Sequence, residues 1–111
     1  MTFPELIADI KKLNLEETRT NTNHFFEFVI RTELANELNA ALERYFGPPL
    51  KAAGEQPSKE ASQTVASFGG IRKDQILYCV DHDKFLDCAM LWPWASGSLL
   101  TVKVIQNHRK K

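Results

Sequence analysis

Apolar side chains recur at three- and four-residue intervals near the start of the chain, which is the spacing of one face of an α-helix. The recurring positions are Leu6, Ile7, Ile10 and Leu13. Thr2 and Glu5 stand three residues apart, as in a capping box, where each side chain accepts a hydrogen bond from the other residue's backbone N–H. The pattern therefore predicts a short helix over residues 3–13, followed by a polar connection over residues 14–23.

A longer apolar stripe with the same period follows this connection. Its members are Phe26, Ile30, Leu34, Leu38, Leu42 and Tyr45. Gly47 is a typical residue at a helix end, and Pro48 and Pro49 forbid continuation. The stripe predicts a long helix over residues 23–46, roughly 36 Å in length. Residues 47–63 carry almost no large apolar side chains, which predicts a mobile surface loop.

After residue 63 the pattern changes to runs of β-branched, aromatic and aliphatic residues separated by turn residues. Strands are predicted over residues 64–68, 75–81, 85–92 and 99–106. Their short connections permit only hairpins, so the strands form an antiparallel meander of three or four strands. Helices followed by strands favour one α+β domain over residues 1–111, with the helices packed on the sheet in two layers. A cystatin-like or nuclear-transport-factor-like roll has such a shape.

Period-two alternation assigns the side chains of each predicted strand to two faces of the sheet. The face placed against the core carries Leu77, Cys79, Leu86, Cys88, Met90, Trp92, Leu100, Val102 and Val104. The opposite face carries Ile76, Tyr78, Val80, Phe85, Ala89 and Leu91. A face this apolar needs cover, which the first helix, a second copy of the protein or a ligand could supply. We favour the second copy, with Trp94 beside the sheet as a further contact residue.

Charge and composition exclude several classes of protein. The 14 Lys and Arg residues balance 14 Asp and Glu residues, so no global electrostatic attraction favours nucleic acid or an anionic membrane. No run approaches the roughly 18 apolar residues of a membrane span, and the first residues lack a secretory signal. Two cysteines are too few for a disulfide framework. We therefore expect a cytoplasmic protein with reduced thiols and no cofactor.

The residues with the most chemical potential lie around the second hairpin. His82 stands between Asp81 and Asp83, and a histidine beside carboxylates can act as a general base or a metal ligand. The run falls at a turn, however, where these residue types are common. Cys79, His82 and Cys88 are zinc-type ligands without the paired spacing of a zinc site. We expect neither catalysis nor metal binding here, and retain Cys79, His82, Asp83 and Cys88 as polar candidates.

Two short fragments are similar to loops of cystatin-type protease inhibitors. The run Gln63-Thr64-Val65-Ala66-Ser67 looks like the Q-x-V-x-G loop of that family, and Pro93-Trp94 looks like its second-loop Pro-Trp. The resemblance implies a protease-inhibitor-like binder. Ser67 stands where the family has glycine, and the predicted first helix is an addition to the family's pattern.

Together these patterns favour a non-catalytic interaction or ligand-binding module that is homodimeric through an apolar sheet face. The alternative is a small enzyme or ligand-binding roll with a pocket between the long helix and the sheet. In that case Tyr78, His82, Asp87 or a cysteine would be the polar members of an otherwise apolar cavity.

Overall fold

The computed structural model describes residues 2–66, 69–82 and 84–108, and of His108 it describes the backbone only. These residues contain three α-helices: α1 (Phe3–Lys11), α2 (Ala35–Phe46) and α3 (Lys59–Thr64). The same described residues form five strands: β1 (Leu15–Asn21), β2 (Phe25–Arg31), β3 (Ile76–His82), β4 (Phe85–Pro93) and β5 (Leu99–His108). The strands form one antiparallel sheet in the order β1-β2-β5-β4-β3. The predicted two-layer α+β architecture is therefore confirmed.

The start of α1 is fixed by the capping box that the sequence predicts. The hydroxyl of Thr2 accepts from the backbone N–H of Glu5 at 3.3 Å, and the carboxylate of Glu5 accepts from the backbone N–H of Thr2 at 2.9 Å. The helix ends at Lys11 and buries Phe3, Leu6 and Ile10 against the sheet. Within the described residues no helix combines the length and the apolar character needed to cross a membrane.

The prediction of one long helix over residues 23–46 is wrong for its first half. Residues Phe25–Arg31 form β2, a short 3₁₀ turn follows at Thr32–Leu34, and α2 begins only at Ala35. The run from Phe25 to Ile30 consists mostly of aromatic and β-branched residues, which favour a strand buried on both faces as much as a helical stripe. Residues 15–21, predicted as a connection, pair with β2 as the polar edge strand β1.

Helices α1 and α2 pack on one face of the sheet, which we call the helix-covered face. Its buried core contains Phe3, Leu6, Ile10, Phe26, Phe28, Ile30, Leu38, Leu42, Phe46, Tyr78, Ala89, Leu91, Leu100, Val102 and Val104. Half-buried Ile76 and Val80 pack against this core. A second, smaller core lies on the opposite side, which we call the far face. It consists of Ala61, Val65, Leu77, Cys88, Met90 and Ile105.

The predicted assignment of the two sheet faces is corrected by the strand register. Ala89 pairs with Val104 and Leu91 pairs with Val102, so these four residues share one face. The face that was expected to need a second copy as cover is therefore the one that α1 and α2 cover. Tyr78 and Leu91 are only 2% and 1% exposed. They are core residues, and no second copy can pack on them in this fold.

The segment between α2 and β3 contacts the sheet through Lys51. Lys51 forms an isolated antiparallel bridge with Leu77, and its side chain is 2% exposed. Its ammonium group donates to the carbonyl groups of Ala52 at 3.0 Å, Lys73 at 2.5 Å and Gln75. No strand forms over residues 64–66, since Thr64 is the last residue of α3; residues 67 and 68 lie outside the described part of the chain.

Candidate functional site

Three polar side chains from three elements meet on the helix-covered face, and we call them the polar cluster: Tyr45, His82 and Asp87. The hydroxyl of Tyr45 donates a hydrogen bond to Oδ2 of Asp87. Nε2 of His82 lies 3.1 Å from the Tyr45 hydroxyl and 3.3 Å from the same carboxylate oxygen. One buried carboxylate oxygen thus receives two partners, one from α2 and one from the end of β3.

The two-residue repeat of β3 and β4 and the 3.6-residue repeat of α2 explain why the three side chains of the polar cluster point to the same place. Asp87 is two residues before Ala89 in β4, so its side chain points toward the helices. His82 is two residues after Val80 in β3 and shares that face. Tyr45 is seven residues after Leu38, two helical turns along the buried stripe of α2. The cluster therefore lies where the C-terminal end of α2 crosses the end of β3.

The electrostatics of the cluster are dominated by the burial of Asp87. Its side chain is 0% exposed, whereas that of His82 is 49% exposed. Oδ1 of Asp87 has no hydrogen-bond partner among the described residues. Burial and then the bond to Asp87 raise the pKa of Tyr45 above its usual value, so Tyr45 keeps its proton and acts as a donor. The half-exposed His82 is oriented by its contact with the carboxylate of Asp87.

Part of the predicted site comes together here, and part does not. His82 and Asp87 meet, but Asp81 lies on the opposite face because successive strand residues alternate. Asp83, the other predicted neighbour of His82, lies outside the described residues. The carboxylate that orients His82 is thus five residues away in sequence. The sequence offered no signal for Tyr45 beyond its place in an apolar stripe.

Tyr78 is separate from the polar cluster. Its hydroxyl donates to Oδ1 of Asn39 in α2 at 3.2 Å. Burial of the ring raises the pKa of Tyr78 to about 12. Its role is to pack beneath α2 and satisfy one helix side chain, which is a structural role.

The two cysteines lie on the far face, directly opposite each other in β3 and β4. Their Sγ atoms are 3.1 Å apart, and both are free thiols. His82 is on the other face, so the three zinc-type residues Cys79, His82 and Cys88 do not converge. The described residues contain no group of three or more His, Cys, Asp or Glu side chains that could hold a metal ion.

The far face also carries both tryptophans. Nε1 of Trp94 donates to the hydroxyl of Thr101 at 2.8 Å, which holds the indole against β5 with 38% of the residue exposed. The guanidinium carbon of Arg19 lies 5.9 Å from the Trp94 ring centre. The ammonium of Lys103 lies 3.9 Å from the ring centre of Trp92. Two cation–π contacts thus fix the indoles on this face.

Of the six residues predicted to form an interface or ligand face, Trp94 alone lies on the far face. Ile76, Tyr78, Val80 and Leu91 contribute to the core under α2. Phe85 is half-buried at the end of β4, where its ring stacks on His24 at 6.5 Å. The surface available for a partner is therefore different from the predicted one.

Two of the surface cavities in the described part of the chain lie beside α1. One of about 490 Å³ lies between α1 and the β1–β2 turn, with Ile7, Lys11 and His24 in its wall. The other, about 410 Å³, is a groove between α1 and α2, where Asp9 faces Arg44 at 3.7 Å. Neither lies between α2 and the sheet, the position that the pocket hypothesis requires.

Comparison of the chain with protein-family models, with characterised proteins and with solved structures finds no match. The function must therefore be argued from the geometry of this fold.

Proposed function

We propose that the protein is a non-catalytic interaction module that associates with a second copy through its far face. The observation that carries the proposal is the unequal cover of the two sheet faces. Two helices lie on the helix-covered face, whereas the six-residue α3 covers only the β3–β4 side of the far face. Phe25, Leu86 and Trp92 stay half-buried there, beside the exposed Trp94.

Charge on the far face favours a second copy as the occupant. Glu27 and Lys103 are direct register partners in β2 and β5, at the centre of this surface. A two-fold axis between them would place Glu27 against Lys103 of the second copy and Lys103 against its Glu27. Such an isologous contact is self-complementary in charge. The same rotation, about an axis parallel to the strands, would set Phe25 of one copy over Ile105 of the other.

The size of the surface predicts a weak dimer. Three strands spaced about 4.8 Å apart and five residues of about 3.3 Å each define a patch of roughly 14 by 17 Å. Even with its side-chain relief, such a patch is smaller than the roughly 800 Å² that each partner buries in a standard stable interface. We therefore expect association that depends on concentration over an accessible range.

The alternatives have less support in the geometry. A small enzyme or ligand-binding roll would need space between α2 and the sheet, where Leu38, Leu42 and Phe46 belong to the packed core. A protease-inhibitor-like binder would present residues 63–67 as an accessible loop. Gln63 is instead helical, and Val65 is fully buried.

Charge reversal tests the proposal. Lys103→Glu should lower the dimer fraction measured by sedimentation equilibrium over a range of concentrations, because four carboxylates would then face one another. The double variant Glu27→Lys with Lys103→Glu should regain dimer. Lys12→Glu is the matched control, since Lys12 directly follows α1, on the helix-covered side of the sheet, with 78% of its side chain accessible. A wild type that is monomeric throughout, or a Lys103→Glu variant that dimerises like wild type, would refute the proposal.

A further inference from the structure

The backbone geometry at the cysteine pair permits a direct cross-strand bond. Leu77, two residues before Cys79, exchanges backbone hydrogen bonds with Lys51, at 3.0 and 3.2 Å, on the outer side of β3. Hydrogen-bonding direction alternates along a strand, so the backbone groups of Cys79 also point away from β4. Cys79 and Cys88 are thus a non-hydrogen-bonded pair, with Cα atoms about 4.5 Å apart. Disulfides span about 4.4–6.8 Å between Cα atoms.

The two thiols differ in access and in protonation. Cys88 is 1% exposed, whereas Cys79 is only half-buried at the edge strand. The hydrogen bond to Cys79 and then burial raise the pKa of the Cys88 thiol. Cys88 therefore holds its proton more firmly than a free thiol, which makes it the less reactive of the two sulfurs at the start. Cys79 is the sulfur that a reagent from solvent meets first.

We propose that Cys79 and Cys88 form a reversible dithiol–disulfide site whose reaction partner is a low-molecular-weight disulfide. Cys79 gives its proton to solvent and attacks one sulfur of that molecule; the S–S bond of the small disulfide breaks, and the released thiolate takes up a proton. Cys88 then gives its proton to solvent and attacks Sγ of Cys79, expelling the second small thiolate, which is protonated in turn. The protein loses two electrons and two protons, and the small disulfide becomes two thiols.

Reduced protein incubated with glutathione disulfide tests this assignment. In the wild type we expect loss of both alkylatable thiols, the mass loss of two hydrogen atoms and no retained glutathionyl group. Cys88→Ala should stop at the first step and retain one glutathionyl group on Cys79. Cys79→Ala should stay unmodified over the same time. Far-UV circular dichroism of each variant establishes that it is folded, and Cys88→Val replaces Cys88→Ala if the smaller side chain prevents folding.

Three results would overturn the proposal. The first is a wild type that keeps two alkylatable thiols in excess glutathione disulfide. The second is a Cys79→Ala variant that reacts as fast as Cys88→Ala, because Cys88 would then be the accessible sulfur. The third is a disulfide between two chains, seen on a non-reducing gel, in place of the intramolecular bond. Return of both thiols on addition of dithiothreitol is expected, and failure to recover them would contradict reversibility.

Discussion

The sharpest prediction concerns the hydroxyl group of Tyr45. Tyr45→Phe removes the hydrogen bond from α2 to Oδ2 of Asp87 and leaves the ring in place. The carboxylate then keeps only His82, whose Nε2 is 3.3 Å from Oδ2, while Oδ1 already has no partner among the described residues. The substitution therefore isolates a buried charge without creating a large cavity.

The expected cost follows from the charge on the acceptor. A hydrogen bond to a charged group contributes about 1.5–3 kcal/mol, and one between neutral groups about 0.5–1.5 kcal/mol. Asp87 is fully buried and has few remaining partners, so we expect the upper end of the first range, about 3 kcal/mol. For a domain of this size that free energy lowers Tm by roughly 12–15 °C.

Tyr78→Phe is the matched control. It deletes the same atom from another tyrosine beneath α2, whose hydroxyl donates to the neutral amide of Asn39, with the carboxylate of Glu43 nearby. We expect this variant to lose about 1 kcal/mol. Urea denaturation followed by tryptophan fluorescence gives both free energies of unfolding, with the slope m checked for a change in the two-state transition.

A double-mutant cycle identifies the source of the difference. In an Asp87→Asn background the acceptor is neutral, so the cost of Tyr45→Phe should fall to about 1 kcal/mol, leaving a coupling energy of about 2 kcal/mol. The reasoning is refuted if Tyr45→Phe costs no more than Tyr78→Phe, or if its cost is unchanged in that background.

Three further predictions concern other parts of the fold. Gly69→Ala should destabilise by about 2–3 kcal/mol in urea unfolding, because φ is +106° and a Cβ would lie 2.8 Å from the Trp92 ring; Gly97→Ala, at φ +76° with nothing within 4 Å, should cost about 1 kcal/mol. Equal costs would contradict the contact. Lys51→Met should speed proteolysis and amide exchange between α2 and β3, since three carbonyl groups lose their donor; unchanged exchange there would show that Lys51 is not the anchor. Burial raises the pKa of Tyr78 from 10.0 in the unfolded chain to about 12 in the folded protein. The stability that this shift contributes is fully present below pH 10.0 and is lost as the pH rises toward about 12. Tyr78→Phe should flatten the alkaline decrease in Tm, and an unchanged alkaline slope would argue against it.

Short sequence patterns were enough to predict the start of α1 and the three strands after residue 75. The capping box at Thr2 and the three hairpin strands after residue 75 were read from spacing alone, and the structure contains them. The run from Phe25 to Ile30 was misassigned because a strand buried on both faces has no alternation to distinguish it from a helical stripe. The edge strand β1 was missed for the opposite reason, since its residues are mostly exposed and polar.

The sheet faces show what alternation cannot determine. Within one strand it separates two sets of side chains, but the set that a neighbouring strand adds to each face depends on register. Leu91 pairs with Val102 in β5, so the two side chains share a face. A register shifted by one residue would have placed Leu91 on the face opposite Val102. The register that sets Cys79 opposite Cys88 is different in kind, because the short turn of one hairpin fixes the pairing of its own two strands.

The polar cluster could be predicted only in part, since its partners come from α2 and from a hairpin 37 or more residues later. His82 and Asp87 lie within one hairpin, so sequence reasoning could consider them together. Tyr45 needed the tertiary placement of α2. A buried carboxylate whose hydrogen bonds are only partly satisfied is less stabilising than an apolar side chain of similar volume. Asp87 faces the apolar core beside Val80 and Ala89, where an apolar side chain would complete the packing. Its contribution is therefore one of orientation: it fixes how the end of α2 meets β3 and holds the half-exposed His82 in one position.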